Sequence, residues 1–174
     1  MSSEGEGTVP KEPPIHTIGH SDHTTLAFVD LLHRHDITLV VDVRSRPYSR
    51  WTPQFNREIL ARDLDDAGVA YRFMGDALGG HPDDPALYDP GQEHPDYQRL
   101  GRTPAYQTGI DRLLDLACTE RVAVMCSEGD YRQCHRHLLI AQTLLERGVR
   151  VLHIQPGGEV VEGERVARQL SLFE

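Results

Sequence analysis

Ile37-Thr38-Leu39-Val40-Val41-Asp42-Val43 is the stretch whose reading decides the fold. Its apolar residues fall on consecutive positions rather than alternate ones. A strand of that kind is buried on both faces, as in a parallel sheet covered by helices. Outward from it, the chain switches repeatedly between strand and helix patterns. Upstream, residues 15–19 read as a first strand. Thr24 or Thr25 then caps a helix whose apolar face is Leu26, Phe28, Val29, Leu31 and Leu32. Downstream, residues 55–69 give a helix that stops at Gly68, and residues 69–74 give a third strand. After a polar stretch over 75–103 come a helix (106–118), a fourth strand (121–126), a helix (132–147) and a fifth strand (149–154). Pro156-Gly157-Gly158 turns the chain toward residues 159–162. The expected fold is therefore α/β: a single-domain, Rossmann-like open sheet of about five mostly parallel strands with helices on both faces. Residues 1–14 read as a disordered leader, 15–162 as the domain and 163–174 as a C-terminal segment.

Bulk properties narrow the function classes. No apolar run approaches ~18 residues, so no membrane span or membrane partner is expected. The N-terminus MSSEGEGTVPKEPP lacks the apolar core of a signal peptide, which points to a cytoplasmic protein. The net charge of −9 argues against coating nucleic acid non-specifically, although it permits a local basic site. Lys11, in the leader, is the only lysine. A Schiff-base lysine is thus excluded from the domain, and anion contacts fall to Arg, His or backbone. Three cysteines in such a chain suggest no disulfide framework. No cofactor motif is present, and no cofactor is expected.

In an open α/β sheet the ligand site lies at the carboxyl ends of the strands. Loops 19–24, 43–54, 75–103 and 126–133 are the ones to read, and the third is long enough to be a lid or binding loop. Arg44, Arg46 and Arg50 leave one strand end. Arg132 and Arg136 lie one helical turn apart at an expected helix start. Such a cluster beside helix N–H groups suits a phosphate or carboxylate. The alternative is that Arg44 and Arg46 pair with Asp42, Glu58 or Glu128 and only order the loops. CSEGDYR (126–132) has the Cys-x5-Arg form of thiolate loops in phosphatases, but Glu128 and Asp130 would repel phosphate there. Cys134 continues the apolar helix stripe of Leu138, Ala141 and Leu145 and is expected to face the sheet. Cys126, Cys134, His135 and His20 do not match a common zinc spacing, and no metal is assigned. Asp42 and Glu128 are carboxylates fit to activate water or to hold an Arg. Tyr48, Trp51 and Tyr97 are placed to stack on a base or to pack the loop. His16, His33, His35 and His153 read as structural. The candidate catalytic set is Cys126, Glu128, Asp42 and His20. The candidate ligand-binding set is Arg44, Arg46, Tyr48, Arg50, Gly80, Tyr97, Cys134, His135 and Arg136.

TIGHS (17–21), DVRSRPYSR (42–50), the pair Phe55-Asn56, LGG (78–80), MCSE (125–128) and CHR (134–136) together resemble the bacterial and archaeal domain-of-unknown-function 488 family. The resemblance spans roughly residues 15–160. It implies no particular reaction, but it implies that these strand-end residues form one site.

A separate motif lies at 169–173. Gln169, Leu170, Ser171, Leu172 and Phe173 resemble the short peptide by which bacterial polymerases and repair proteins dock on the DNA sliding clamp. An extended tail of that kind places Leu172 and Phe173 in an apolar groove while Gln169 bonds the rim. The alternative is that Leu170, Leu172 and Phe173 fold back on the domain. Combined, these features suggest an enzyme on a nucleotide or nucleic-acid lesion, linked to replication or repair. A non-catalytic nucleotide- or anion-binding module is the second reading. A thiol- or metal-dependent enzyme on a small anionic metabolite is the third.

Overall fold

The computed structural model describes residues 12–167, so the peptide at Gln169, Leu170, Leu172 and Phe173 and most of the leader lie outside the described residues. The domain is an open sheet of six strands: β1 (Ile15–Gly19), β2 (Leu39–Asp42), β3 (Ala70–Phe73), β4 (Val122–Cys126), β5 (Val151–Ile154) and β6 (Val160–Glu162). Their order is β3-β2-β4-β1-β5-β6. β1 to β5 are parallel, and β6 adds an antiparallel edge through the turn at 156–158. The expected Rossmann-like α/β architecture is therefore present, with one strand more than the five expected.

The strand order explains the two layers of helices. From β1 the chain moves to β2 and then β3, both on one side of β1. It then returns to β4 and crosses to β5 on the other side. Right-handed crossovers in opposite directions place their helices on opposite faces. Accordingly α1 (Thr25–Arg34) and α2 (Arg57–Asp66) pack Phe28, Leu32, Leu60 and Leu64 against Val40, Ala123 and Met125 on one face. On the other face, α5 (Pro104–Ala117) and α6 (Gln142–Glu146) pack Ile110, Leu113 and Leu144 against Leu39, Val41, Val122 and Val124. Strand side chains alternate between the two cores, as the period of two requires.

Local chemistry accounts for the element ends. Thr24, not Thr25, caps α1: its hydroxyl accepts from the Ala27 N–H at 3.1 Å. Gly68 ends α2 at φ +75°, a conformation that favours glycine. The polar stretch after β3 is more ordered than its composition suggested. It contains α3 (Gly75–Leu78), a 3-10 turn over Pro85–Leu87 and α4 (Tyr97–Gly101). The single helix expected over 132–147 is broken. A 3-10 turn (Tyr131–Gln133) precedes an extended Cys134, and a π-helical segment (Arg136–Ala141) then runs into α6. Cys134 is thus buried as expected, but it is not part of a helix. Of the four histidines read as structural, three bond to the framework: His33 and His35 reach the Ala67 and Gly158 carbonyls, and His153 bonds the Thr17 hydroxyl; His16 is buried in β1 with its Nδ1 unpartnered among the described residues. Residues 164–166 run along α6, where Gln142 bonds the Glu164 carbonyl and the Val166 N–H.

The carboxyl end of β1 passes very close to the loop after β4. A Cβ on Gly19 would stand 1.8 Å from the Glu128 carbonyl oxygen. Gly19→Ala is therefore expected to cost about 3 kcal/mol, the upper end for overpacking, since backbone must move to relieve the overlap. Urea unfolding of the variant checks this, and an unchanged midpoint would show that the loop yields freely.

Candidate functional site

A polar cleft of about 570 Å³ opens above the carboxyl ends of β1, β2 and β4. Its position follows from the strand order. β4 sits between β2 and β1, and the chain leaves it toward the opposite face of the sheet from the one its two neighbours use. Connections that part in this way leave a crevice at the strand ends, where ligands bind in open α/β sheets.

The register assigns each candidate residue to a side. Asp42 lies beside Met125, so both project toward the α1/α2 core. Cys126 is the next residue along β4 and projects toward the α5/α6 core. The sheet therefore divides the expected catalytic set in two.

On the α5/α6 side, Cys126 and Cys134 place their Sγ atoms 2.8 Å apart on the cleft floor. Cys134 Sγ also accepts the Arg136 N–H at 3.5 Å and faces His135 Nδ1 at 3.7 Å. His135 Nε2 donates to the Val43 carbonyl at 3.2 Å, which turns Nδ1 toward the Cys134 sulfur. The two thiols respond in opposite ways. Burial pushes the Cys126 thiol well up. The Cys126 S–H, then His135, then the Arg136 charge hold Cys134 down, against its own burial. Of the two, Cys134 is therefore the sulfur favoured as a thiolate, with Cys126 as its hydrogen-bond donor. Gly80, on the cleft lining, makes room for this arrangement: a Cβ there would stand 2.7 Å from the His135 ring.

On the α1/α2 side, Asp42 is fully buried and spoken for. It accepts from the Arg44 backbone at 3.1 Å, from Arg44 Nε and NH2 at 2.9 and 2.7 Å, and from the Tyr71 hydroxyl at 2.6 Å. Burial, then the Asp42 bond, raise the Tyr71 phenol, which stays a donor. Arg44 NH2 also reaches the Phe55 carbonyl at 2.8 Å. Arg44 NH1 donates to His20 Nε2 at 3.3 Å, while His20 Nδ1 donates to the Ser21 carbonyl at 2.8 Å. Both His20 nitrogens are therefore engaged, its ring stacks on Phe55 at 4.4 Å, and burial lowers its pKa to about 4. His20 is neutral at physiological pH and has no free nitrogen for proton transfer. Asp42 is not among the residues that line the cleft, and His20 lines it with both ring nitrogens already bonded.

The expected arginine cluster is dispersed. Arg136 is buried behind the thiols. Its NH2 donates to the Gly129 carbonyl at 3.2 Å, and its Nε and NH1 have no partner among the described residues. Arg132 pairs with Asp130 at 2.9 Å. Arg50 stacks on exposed Trp51, 4.6 Å from the ring centre, away from the cleft. Arg46 stands on the cleft rim, its side chain 85% exposed and held only by a long 4.0 Å ion pair to Asp83. Glu128 and Tyr48 also line the cleft, and the Tyr48 hydroxyl donates to Glu58 at 2.7 Å. Tyr97 reaches the floor from α4, where burial, then the Cys134 thiolate, raise its phenol. Residues outside the candidate sets complete the lining: Ser45, whose hydroxyl holds the His81 N–H at 2.9 Å, and the ring pair His81–His94, 5.4 Å apart. The histidines had been visible only as members of a polar loop. No group of three or more His, Cys, Asp or Glu among the described residues is placed to hold a metal ion. No helix among them is long and apolar enough to cross a membrane.

Asp42→Ala is expected to cost about 3–5 kcal/mol, because it strands the Arg44 guanidinium in the interior. Arg46→Ala, on the open rim, is expected to leave the midpoint unchanged. Denaturant titration of the two variants side by side checks this, and equal effects would contradict the division of roles.

Comparison with known proteins gives one match. Searches of curated proteins and of solved structures return none. The profile of a family described as a domain of unknown function, DUF488, matches residues 24–143. That range holds β2, β3, β4 and both cysteines of the cleft floor, but not the TIGHS segment at β1. It spans more than half of the chain, and the chain therefore belongs to the DUF488 family.

Proposed function

We propose that this chain is a thiol-dependent hydrolase or transferase whose cleft takes a nucleotide, free or as a lesion in nucleic acid. The observation that carries the proposal is the Cys126–Cys134–His135 arrangement on the cleft floor. A nucleophile, an adjacent base and a third group that orients the base are the parts of covalent catalysis. Here they are Cys134, His135 and the Val43 carbonyl. In this reading Cys134 Sγ forms the bond to the electrophilic centre and the leaving group departs with a proton. Water then releases the covalent adduct, and Glu128 on the rim is placed to assist it. Tyr48 and Tyr97 offer ring faces to a base, and Arg46 with His81 and His94 offers donors to a phosphate. The role first expected of Cys126 thus passes to Cys134.

The same proposal gives residues 169–173 the task of docking on a DNA sliding clamp. With a net charge of −9, direct contact with DNA is weak. A tethered tail would supply effective concentration instead.

Two experiments test these claims. Iodoacetamide capture of Cys134, read by peptide mass, is expected to run at a nearly constant rate from about pH 6 to about pH 8.5, since a lowered pKa leaves the thiolate formed throughout. A thiol of ordinary pKa, ~8.5, would accelerate on the order of a hundredfold over that range, and such a profile would end the nucleophile reading. The second experiment assays a panel of nucleotides and damaged oligonucleotides, with and without purified clamp. Turnover lost in Cys134→Ser but binding kept, and clamp binding lost in Leu172→Ala/Phe173→Ala, are the expected results. Binding without turnover would leave the cleft a sensing module.

A further inference from the structure

We propose that Cys126 is a resolving cysteine: a small hydroperoxide that oxidises Cys134 is reduced in the cleft, and Cys126 then closes a disulfide with Cys134. This rests on the reading of Cys134 as the reactive thiol, but not on the identity of the organic substrate.

Three features of the pair lead there. The Sγ atoms are 2.8 Å apart, and a disulfide needs about 2.05 Å, so one sulfur has less than an ångström to travel. The travelling partner is available, because Cys134 lies in an extended link between a 3-10 turn and the π-helical segment, outside any strand. Lastly, the two cysteines are only 3% and 4% exposed but both line the cleft, so a small oxidant meets the least hindrance on its way to the sulfur. A hydroperoxide suits such a site because it presents a single terminal oxygen to the sulfur. Behind the pair, the buried Arg136 guanidinium adds a positive charge with two N–H-bearing nitrogens unpartnered among the described residues. That charge favours the thiolate which starts the reaction.

The steps balance. The Cys134 thiolate attacks the terminal oxygen of R–O–OH, the O–O bond breaks, and the alkoxide takes a proton to leave as R–OH. Cys134 is now a sulfenic acid. The Cys126 sulfur attacks Cys134 Sγ, the S–O bond breaks, and hydroxide leaves with the Cys126 proton as water. The pair has lost two electrons and the peroxide has gained them. An external dithiol returns the pair to its starting state by thiol–disulfide exchange.

The test uses the full chain carrying Cys118→Ser, which removes the one exposed thiol among the described residues. After one equivalent of hydrogen peroxide, free thiols are counted in denaturant and the intact mass is measured. Loss of both remaining thiols is expected, with a mass lower by two hydrogens and full recovery in dithiothreitol. Cys126→Ser in the same background is expected to stop at a Cys134 sulfenic acid that dimedone traps. Both thiols intact, a sulfinic acid without disulfide, or a disulfide between two chains would each overturn the proposal. Iodoacetamide separates the two readings. Rapid capture of Cys134 with no disulfide removes the resolving role and keeps the thiol enzyme, whereas no capture removes both.

Discussion

The buried pair of Asp42 and Arg44 is the constraint on which the strand-end geometry depends. A carboxylate and a guanidinium out of water are costly unless every lone pair and proton is used. Here they nearly all are. Asp42 accepts four hydrogen bonds, and Arg44 spends its remaining donors on the Phe55 carbonyl and on His20. The result is a knot joining the ends of β2 and β1, the loop before α2 and a tyrosine from β3. Its charge is neutralised internally, so it acts as a rigid support and not as an anion receptor. The open polar chemistry of the cleft is left to other residues.

Across the sheet, the thiol pair depends on that support indirectly. His135 takes its orientation from the Val43 carbonyl, one residue beyond Asp42 on the same strand end. Anything that lets β2 drift also turns the imidazole. Gly80 closes the other side of the ring, and Ser45 fixes the backbone next to it through the His81 N–H. The base is held by parts of β2 and of the loop after β3, while its thiol comes from the link after β4. Three segments distant in sequence must agree before Cys134 has a proton acceptor.

Much of the fold was legible because it rests on periodicity. The apolar run at 37–43, the stripe of α1 and the stop at Gly68 each report local physics that survives in the folded state. The site was legible as a set of strand ends but not as a geometry. Asp42 and Cys126 were grouped because both end strands, yet β2 and β4 are registered so that the two side chains leave opposite faces. Register is a tertiary fact, set by both cores at once. The arginines failed as a cluster for a related reason. Arg132 and Arg136 are one turn apart only if residues 132–147 form one helix, and the break at Cys134 removes that premise. His81 and His94 carried no periodic signal, because loop positions are chosen by contacts and not by pattern. The tail motif at 169–173 is readable as chemistry alone, since it lies outside the described residues.

The π-helical segment at Arg136–Ala141 sets how the two halves of its helix face one another. Its i→i+5 bonding accommodates one more residue per turn than an α-helix allows, as a single inserted amino acid would. At ~3.6 residues per turn, one such residue turns everything upstream by about 100° relative to everything downstream. The helix can therefore keep Leu144 in the core while the chain ahead of it brings Arg136, His135 and Cys134 round to Cys126. Removing one residue from the segment would keep the sheet and its hydrophobic packing but turn the second thiol elsewhere. The approach of the two sulfurs therefore hangs on one residue of helical register and not on the scaffold.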